Sequence, residues 1–204
     1  DWSFEKAQGQ NPKHAGFAGY FNECMNGFEH QVAGHMIWEG MLQEGLAIFR
    51  AVHDRYHPLR RNPWNEVECG DHYARSMASH GVYLAACGFG YHGPKGHISF
   101  APRVNPEHFR AAFTAAEGWG TYAQDVKDGR LEASIATKWG ALRIGSVTLQ
   151  LPDGGAVTRA EMWIAGRPMP LQWTTNARSV TLALAQPTQC RAGDKMQIQV
   201  TWQP

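Results

Sequence analysis

Between Phe28 and Tyr56, apolar and small residues recur at three- and four-residue steps: Ala33, Ile37, Met41, Gly45, Ile48, Phe49 and Val52. That period predicts one continuous helix, ended by His57 and Pro58, because the residue before a proline resists the helical region. A second helix is expected from Asp71 to Ala86, with Asp71 as its N-cap or first-turn anion. Small residues at several turns of it, Ala74, Ala78 and Ala85, imply close approach of another helix. Between the two helices, Arg60 to Gly70 reads as a loop that delivers polar groups to the start of the second.

The pattern changes near residue 104. Beyond it, alternation takes over in Val147, Leu149 and Leu151, in Val180, Leu182 and Leu184, and in Met196, Ile198, Val200 and Trp202. Strands are predicted at Phe109 to Ala115, Leu131 to Lys138, Ala141 to Leu151, Ala160 to Ala165, Ser179 to Ala185 and Met196 to Trp202. Polar turns separate them, such as Lys127-Asp128-Gly129 and Ala165-Gly166-Arg167-Pro168. The expected class is α+β, with helices in residues 1–103 and an antiparallel, sandwich-like β module in residues 104–204. Two helices ahead of such a module would each leave an apolar face uncovered, and the chain opens on Asp1 rather than Met. Both features lead to the expectation of a piece of a longer protein.

Composition narrows the partners. The chain has 204 residues, 18% of them charged, and a formal charge of +1. No basic run exists, so nucleic acid is not the expected partner. No apolar stretch has the length of a membrane span. The cysteines, Cys24, Cys69, Cys87 and Cys190, form no C-x-x-C pair and read as reduced thiols. A cytoplasmic location is favoured over a secreted or periplasmic one. His30, His35 and Glu39 do not have the spacing of a zinc motif, and no metal or other cofactor is expected. Ser76 and Ser79 lie on no nucleophile elbow, and Cys69 near His72 is too little for a cysteine nucleophile.

The candidate chemistry lies between Asn62 and Ser79. Here Glu66, Glu68, Asp71, His72 and Arg75 stand beside Trp64 and Tyr73. Asp71 and Arg75 are spaced i, i+4 on one expected helical face. Sugar recognition uses such a mixture. Carboxylates and guanidinium groups make charge-assisted hydrogen bonds to neighbouring hydroxyls, while an aromatic face covers the apolar side of the ring. Structural roles compete with this reading. Asp71 and Arg75 would also serve as a surface ion pair, and Glu66 or Glu68 as a helix cap. Glu23 and Glu29 flank a glycine turn at the start of the first helix, where sugar contact and helix-start electrostatics are equally natural. Trp119, between Gly118 and Gly120, reads as a packed aromatic at a strand bend.

The run from Arg61 to Ser79 resembles the end of the catalytic domain in glycoside hydrolase family 116. That family includes non-lysosomal glucosylceramidase and bacterial β-glucosidases. Glu39-Gly40-Met41, Gly93 to Ile98, Phe100 to Arg103 and Ala115 to Gly120 resemble a bacterial branch related to it. The resemblance implies an (α/α)6 barrel, of which residues 1–103 would be the closing helices. It also implies a retaining mechanism on β-linked glycosides. Glu66 and Arg75 match a Glu and an Arg that hold sugar hydroxyls, and Glu23 and Gly27 match a Glu and a Gly at an earlier helix start. Glu23, Asp71, His72 and Trp64 complete the expected substrate-binding set. The nucleophile and acid/base are expected upstream, in the remainder of the same catalytic domain, so this chain alone would be inactive. Met25 stands where the family has Trp, and Gly81 where it has a further Arg, so a preference for glucose is not carried over. The rival readings are another carbohydrate enzyme on the same scaffold, an inverting hydrolase or a phosphorylase, and a non-catalytic carbohydrate-binding or structural protein.

Overall fold

Helix α1 (Asn26–Trp38) buries Asn26, His30, Ala33, Gly34 and Ile37, which fall on one face at helical spacing. Helix α2 (Leu42–Arg55) follows it. The single helix expected here is two helices, and Gly40 is the reason. Its φ of +88° is left-handed, a conformation that glycine adopts at no steric cost. Met41 N–H donates to the Met36 carbonyl at 2.8 Å and Gly40 N–H to the Ile37 carbonyl at 3.1 Å. This paired closure satisfies the last carbonyls of α1 and turns the chain before α2 begins.

The computed structural model describes residues 25–56, 59, 75–151, 156–176 and 178–203. The chain divides into two compact units, Asp1–Ala85 and Ala86–Pro204. In the first, a 3-10 turn at Ser76–Ala78 leads into α3 (Ser79–Cys87). Ala33, Ile37, Val82 and Ala85 form the core there, with Leu46, Ile48 and Phe49 packed against it. Arg55, in the last turn of α2, pairs both guanidinium nitrogens with the Glu29 carboxylate of α1. Cys24, Cys69 and the loop from Arg60 to Gly70 lie outside the described residues. Among those residues, no helix is long and apolar enough to cross a membrane.

Among the described residues, the second unit holds ten strands. They are β1 (Gly90–His92), β2 (His97–Phe100), β3 (His108–Thr114), β4 (Gly118–Lys127), β5 (Arg130–Gln150), β6 (Ala156–Ile164), β7 (Arg167–Pro168), β8 (Leu171–Asn176), β9 (Ser179–Arg191) and β10 (Lys195–Gln203). The first half of β5 pairs with β4 and β10, and β10 continues to β6 and β7. Its second half pairs with β2 and β9, and β9 with β8. The two strands expected at Leu131 to Lys138 and Ala141 to Leu151 are therefore one strand shared by two layers of sheet. The change of layer falls at Gly140, whose φ is +71°. A Cβ there would lie 2.0 Å from the Glu117 carbonyl oxygen.

The module is not wholly antiparallel. Strand β2 runs parallel to β5, with His97 opposite Ser146 and Phe100 opposite Leu149. The chain between them includes β3, β4 and half of β5, more than the dozen residues that a parallel return requires. Strands β1 and β2, joined by a 3-10 turn at Gly93–Lys95, are paired into the second unit, ahead of the point near residue 104 where the sequence pattern changes. Both layers close on one core that includes Phe100, Phe113, Tyr122, Ile144, Leu149, Leu182, Met196 and Ile198.

Candidate functional site

The site is built at the start of α1. Gly27 and Phe28 form its first turn, and Gln31 lies one turn on. The 3-10 turn at Ser76–Ala78 supplies the opposite wall. Among the described residues, Gly27, Phe28, Gln31, Arg75, Met77 and Ala78 line a cavity of about 350 Å3. That lies within the size range of small-ligand sites.

Arg75 is half-buried, at the entrance to the 3-10 turn, with φ −106° and ψ 21°. Its backbone carbonyl accepts from Ala78 N–H at 2.9 Å. It thus precedes the helix instead of lying within it. Asp71, expected four residues earlier on the same helical face, lies outside the described residues. The Arg75 side chain lies over Gly27, where an added Cβ would come 2.8 Å from its Cδ. The glycine is what lets the guanidinium stem cross the helix start so closely. Phe28 is 59% exposed and Met77 is 81% exposed, so the rim is apolar. The Arg75 side chain, the Gln31 side chain and the uncovered Phe28 ring thus border one space.

Beneath this rim α1 is held by buried polar groups. Asn26 donates to the Tyr56 hydroxyl at 2.7 Å. His30 is buried against Phe49, with ring centroids 5.6 Å apart. Burial holds its pKa below the ordinary imidazole range; the Arg55 charge lowers it further and Glu29 opposes both. His30 is therefore a neutral core histidine. His35 points away from that core and meets Glu39 at 3.6 Å on the exposed side. Among the described residues, no three metal-ligating side chains come together.

Of the six residues expected to bind substrate, Arg75 is described, and Glu66, Glu23, Asp71, His72 and Trp64 lie outside the described residues. Gly27 and Arg75, far apart in sequence, meet at one cavity. Phe28, Gln31 and Met77 line it as well and carry no motif of their own. Their signal was periodicity alone. With positions 26, 30, 33 and 37 facing inward, positions 28 and 31 must face out. Trp119, expected to pack at a strand bend, is 48% exposed.

No family model and no curated protein matches the chain. Among solved structures, an α-L-rhamnosidase from Dictyoglumus thermophilum matches over 64% of this chain and 14% of its own, at 10% identity and a TM-score of 0.35. A glycoside hydrolase matches over 61% of this chain and 18% of its own, at 14% identity and a TM-score of 0.32. Neither likeness reaches the level at which a shared fold follows, and the chain spans less than a fifth of either protein.

Proposed function

We propose that this chain is part of a glycoside hydrolase, in which the helical unit contributes to the sugar-binding site. The observation that carries this reading is that Arg75 and Gly27 line one cavity. Both match the sugar-binding region of glycoside hydrolase family 116 by motif, and they are separated by two helices in the sequence. Arg75 donates paired hydrogen bonds to adjacent sugar hydroxyls, and the exposed ring of Phe28 covers the apolar face of the pyranose. Glu66 accepts from the same hydroxyls, with Glu23, Asp71, His72 and Trp64 completing the contact set.

The reaction is retaining hydrolysis of a β-linked glycoside. Its two carboxyl groups, about 5 Å apart across the scissile bond, come from the remainder of the catalytic domain, which also completes the (α/α)6 barrel. The outward side of α1 supports such a partner. Phe28, Val32 and Trp38 are exposed on it, with Met41 just beyond, and a helix with apolar residues on both sides calls for cover on both. No cofactor takes part, since carboxylates supply the acid, base and nucleophile.

The test is Arg75→Ala in the protein that carries the whole barrel. Losing hydrogen bonds from a charged donor costs about 1.5–3 kcal/mol. That corresponds to a fall of roughly 10- to 150-fold in kcat/KM for an aryl β-glycoside. Arg75→Lys restores little, because an ammonium lacks the planar fork. Unchanged kinetics in Arg75→Ala would remove the reading.

A further inference from the structure

The two-stranded pairing of β4 with β5 sets Trp119 directly opposite Trp139. Directly opposed residues present their side chains on the same face of a sheet. Both indoles are uncovered, Trp119 at 48% and Trp139 at 62% exposure. The core face of these strands is carried by other positions, Tyr122 and Gln124 on β4 and Ile135 and Thr137 on β5. The tryptophans therefore stand on the outer face, where ordinary folding gives two large aromatic rings nothing to do.

The rest of that face follows from the register. Ala123, Ser134 and Gln197 form one row across β4, β5 and β10, and Asp125, Glu132 and Gln199 form the next. The small side chains of Ala123 and Ser134 leave a trough, and these rows line a hollow of about 150 Å3 that Lys195 also borders. The Gln197 and Gln199 amides have no side-chain partner among the described residues. They are two positions apart on one strand, hence about 7 Å apart along the trough. The indole pair lies about 15 Å farther along β5 at the strand rise.

We infer that this outer face is a binding platform for a neutral saccharide chain, separate from the cavity at Arg75. The indoles stack on the apolar faces of sugar rings, and the glutamine amides, each both donor and acceptor, answer hydroxyls further along. Both carboxylates of these rows are paired, Asp125 with His108 at 2.7 Å and Glu132 with Arg130 at 2.6 Å, so neither stands open to a cationic ligand. Lys195 and Arg110 on the same face are single cations, not the clustered run that a polyanion such as nucleic acid requires. Apart from the indoles, the rows carry no Leu, Ile, Met or Phe, as the centre of a stable protein interface would.

The experiment is electrophoresis of the 204-residue chain in native gels containing hydroxyethylcellulose or galactomannan, against a gel without polysaccharide. The chain is retarded in at least one of them. Trp119→Ala with Trp139→Ala weakens the apparent Kd at least tenfold, and Gln197→Ala weakens it several-fold. Arg50→Ala, an exposed residue of α2 with no role at either site, leaves it unchanged, which ties the loss to this face. Thermal melts establish that each variant is folded. If the double variant does not fold, Trp139→Phe takes its place and gives a partial loss. Equal mobility in all gels overturns the proposal, as does retardation that the tryptophan variants leave intact. A dimer that the tryptophan variants dissociate, without any retardation, would assign the face to a second copy of this chain instead.

Discussion

At the scale of single residues, Tyr122 and Gln124 make a buried polar contact in the core. Tyr122 is fully buried, and its ring lies flat on Phe100 with centroids 3.8 Å apart. Its hydroxyl donates to Gln124 Oε1 at 2.5 Å, and Gln124 Nε2 donates to the Pro106 carbonyl at 2.6 Å. Burial pushes the phenol's pKa far above its ordinary value, so the hydroxyl stays a donor at every working pH. Tyr122→Phe keeps the stacked ring and deletes only the donor. It leaves a buried amide oxygen without a partner, at a cost of about 1–3 kcal/mol. The expected readout is a lower denaturant midpoint with an unchanged slope. A midpoint equal to wild type would mean that the amide finds water. Cys190 follows the same logic at lower stakes. Burial, and then the Asp194 charge, push its thiol up to about 11, which keeps it protonated and unreactive.

At the scale of elements, β5 matters most, because one strand serves both layers of the sheet. Gly140 is where it passes from one to the other, and two independent constraints hold it to glycine: a left-handed φ and a carbonyl oxygen where a Cβ would stand. Gly140→Ala is expected to destabilise by about 2–4 kcal/mol, combining the left-handed penalty with overpacking. Because the same strand pairs with β4 and β10 on one side and β2 and β9 on the other, the loss should be shared. Hydrogen exchange should quicken together at Ile135 and at Leu149. Quickening confined to one layer would show that the two layers unfold independently.

At the scale of the whole molecule, each unit carries, among the described residues, one histidine whose pKa is depressed by burial. His30 is in the helical unit. His97 is in the β unit, bonded to Ser146 Oγ at 2.8 Å and further lowered by His92 and Lys95. The unfolded chain takes up a proton near the ordinary value of about 6.5, while the folded chain resists it to lower pH. Both histidines thus contribute stability that is present above that value and lost as pH falls through their depressed folded values. Melting temperature should be flat from about pH 8 to 7 and fall toward pH 5. His30→Leu should flatten the part that belongs to the helical unit, and His97→Leu the part that belongs to the β unit. A melting profile independent of pH would contradict both assignments.

Local pattern alone determined a good deal. The alternation Val147, Leu149, Leu151 and its partner Val180, Leu182, Leu184 names the buried face of β5 and β9, because side chains alternate strictly on a pleated strand. Ala33, Ile37 and Val52 are likewise buried at the helical period that foretold them. Strand β4 was hidden by the glycines around Trp119, and β8 by being an edge strand that buries almost nothing and so needs no alternation. The parallel pairing of β2 with β5, and the meeting of Arg75 with Gly27, lie beyond any local pattern. They join residues more than forty positions apart, and only the packing of the whole chain decides which distant groups share a surface. The same is true of the exposed tryptophans. An indole's sequence neighbours say that it sits in a strand, but which face of the sheet meets solvent is decided by where the core closes.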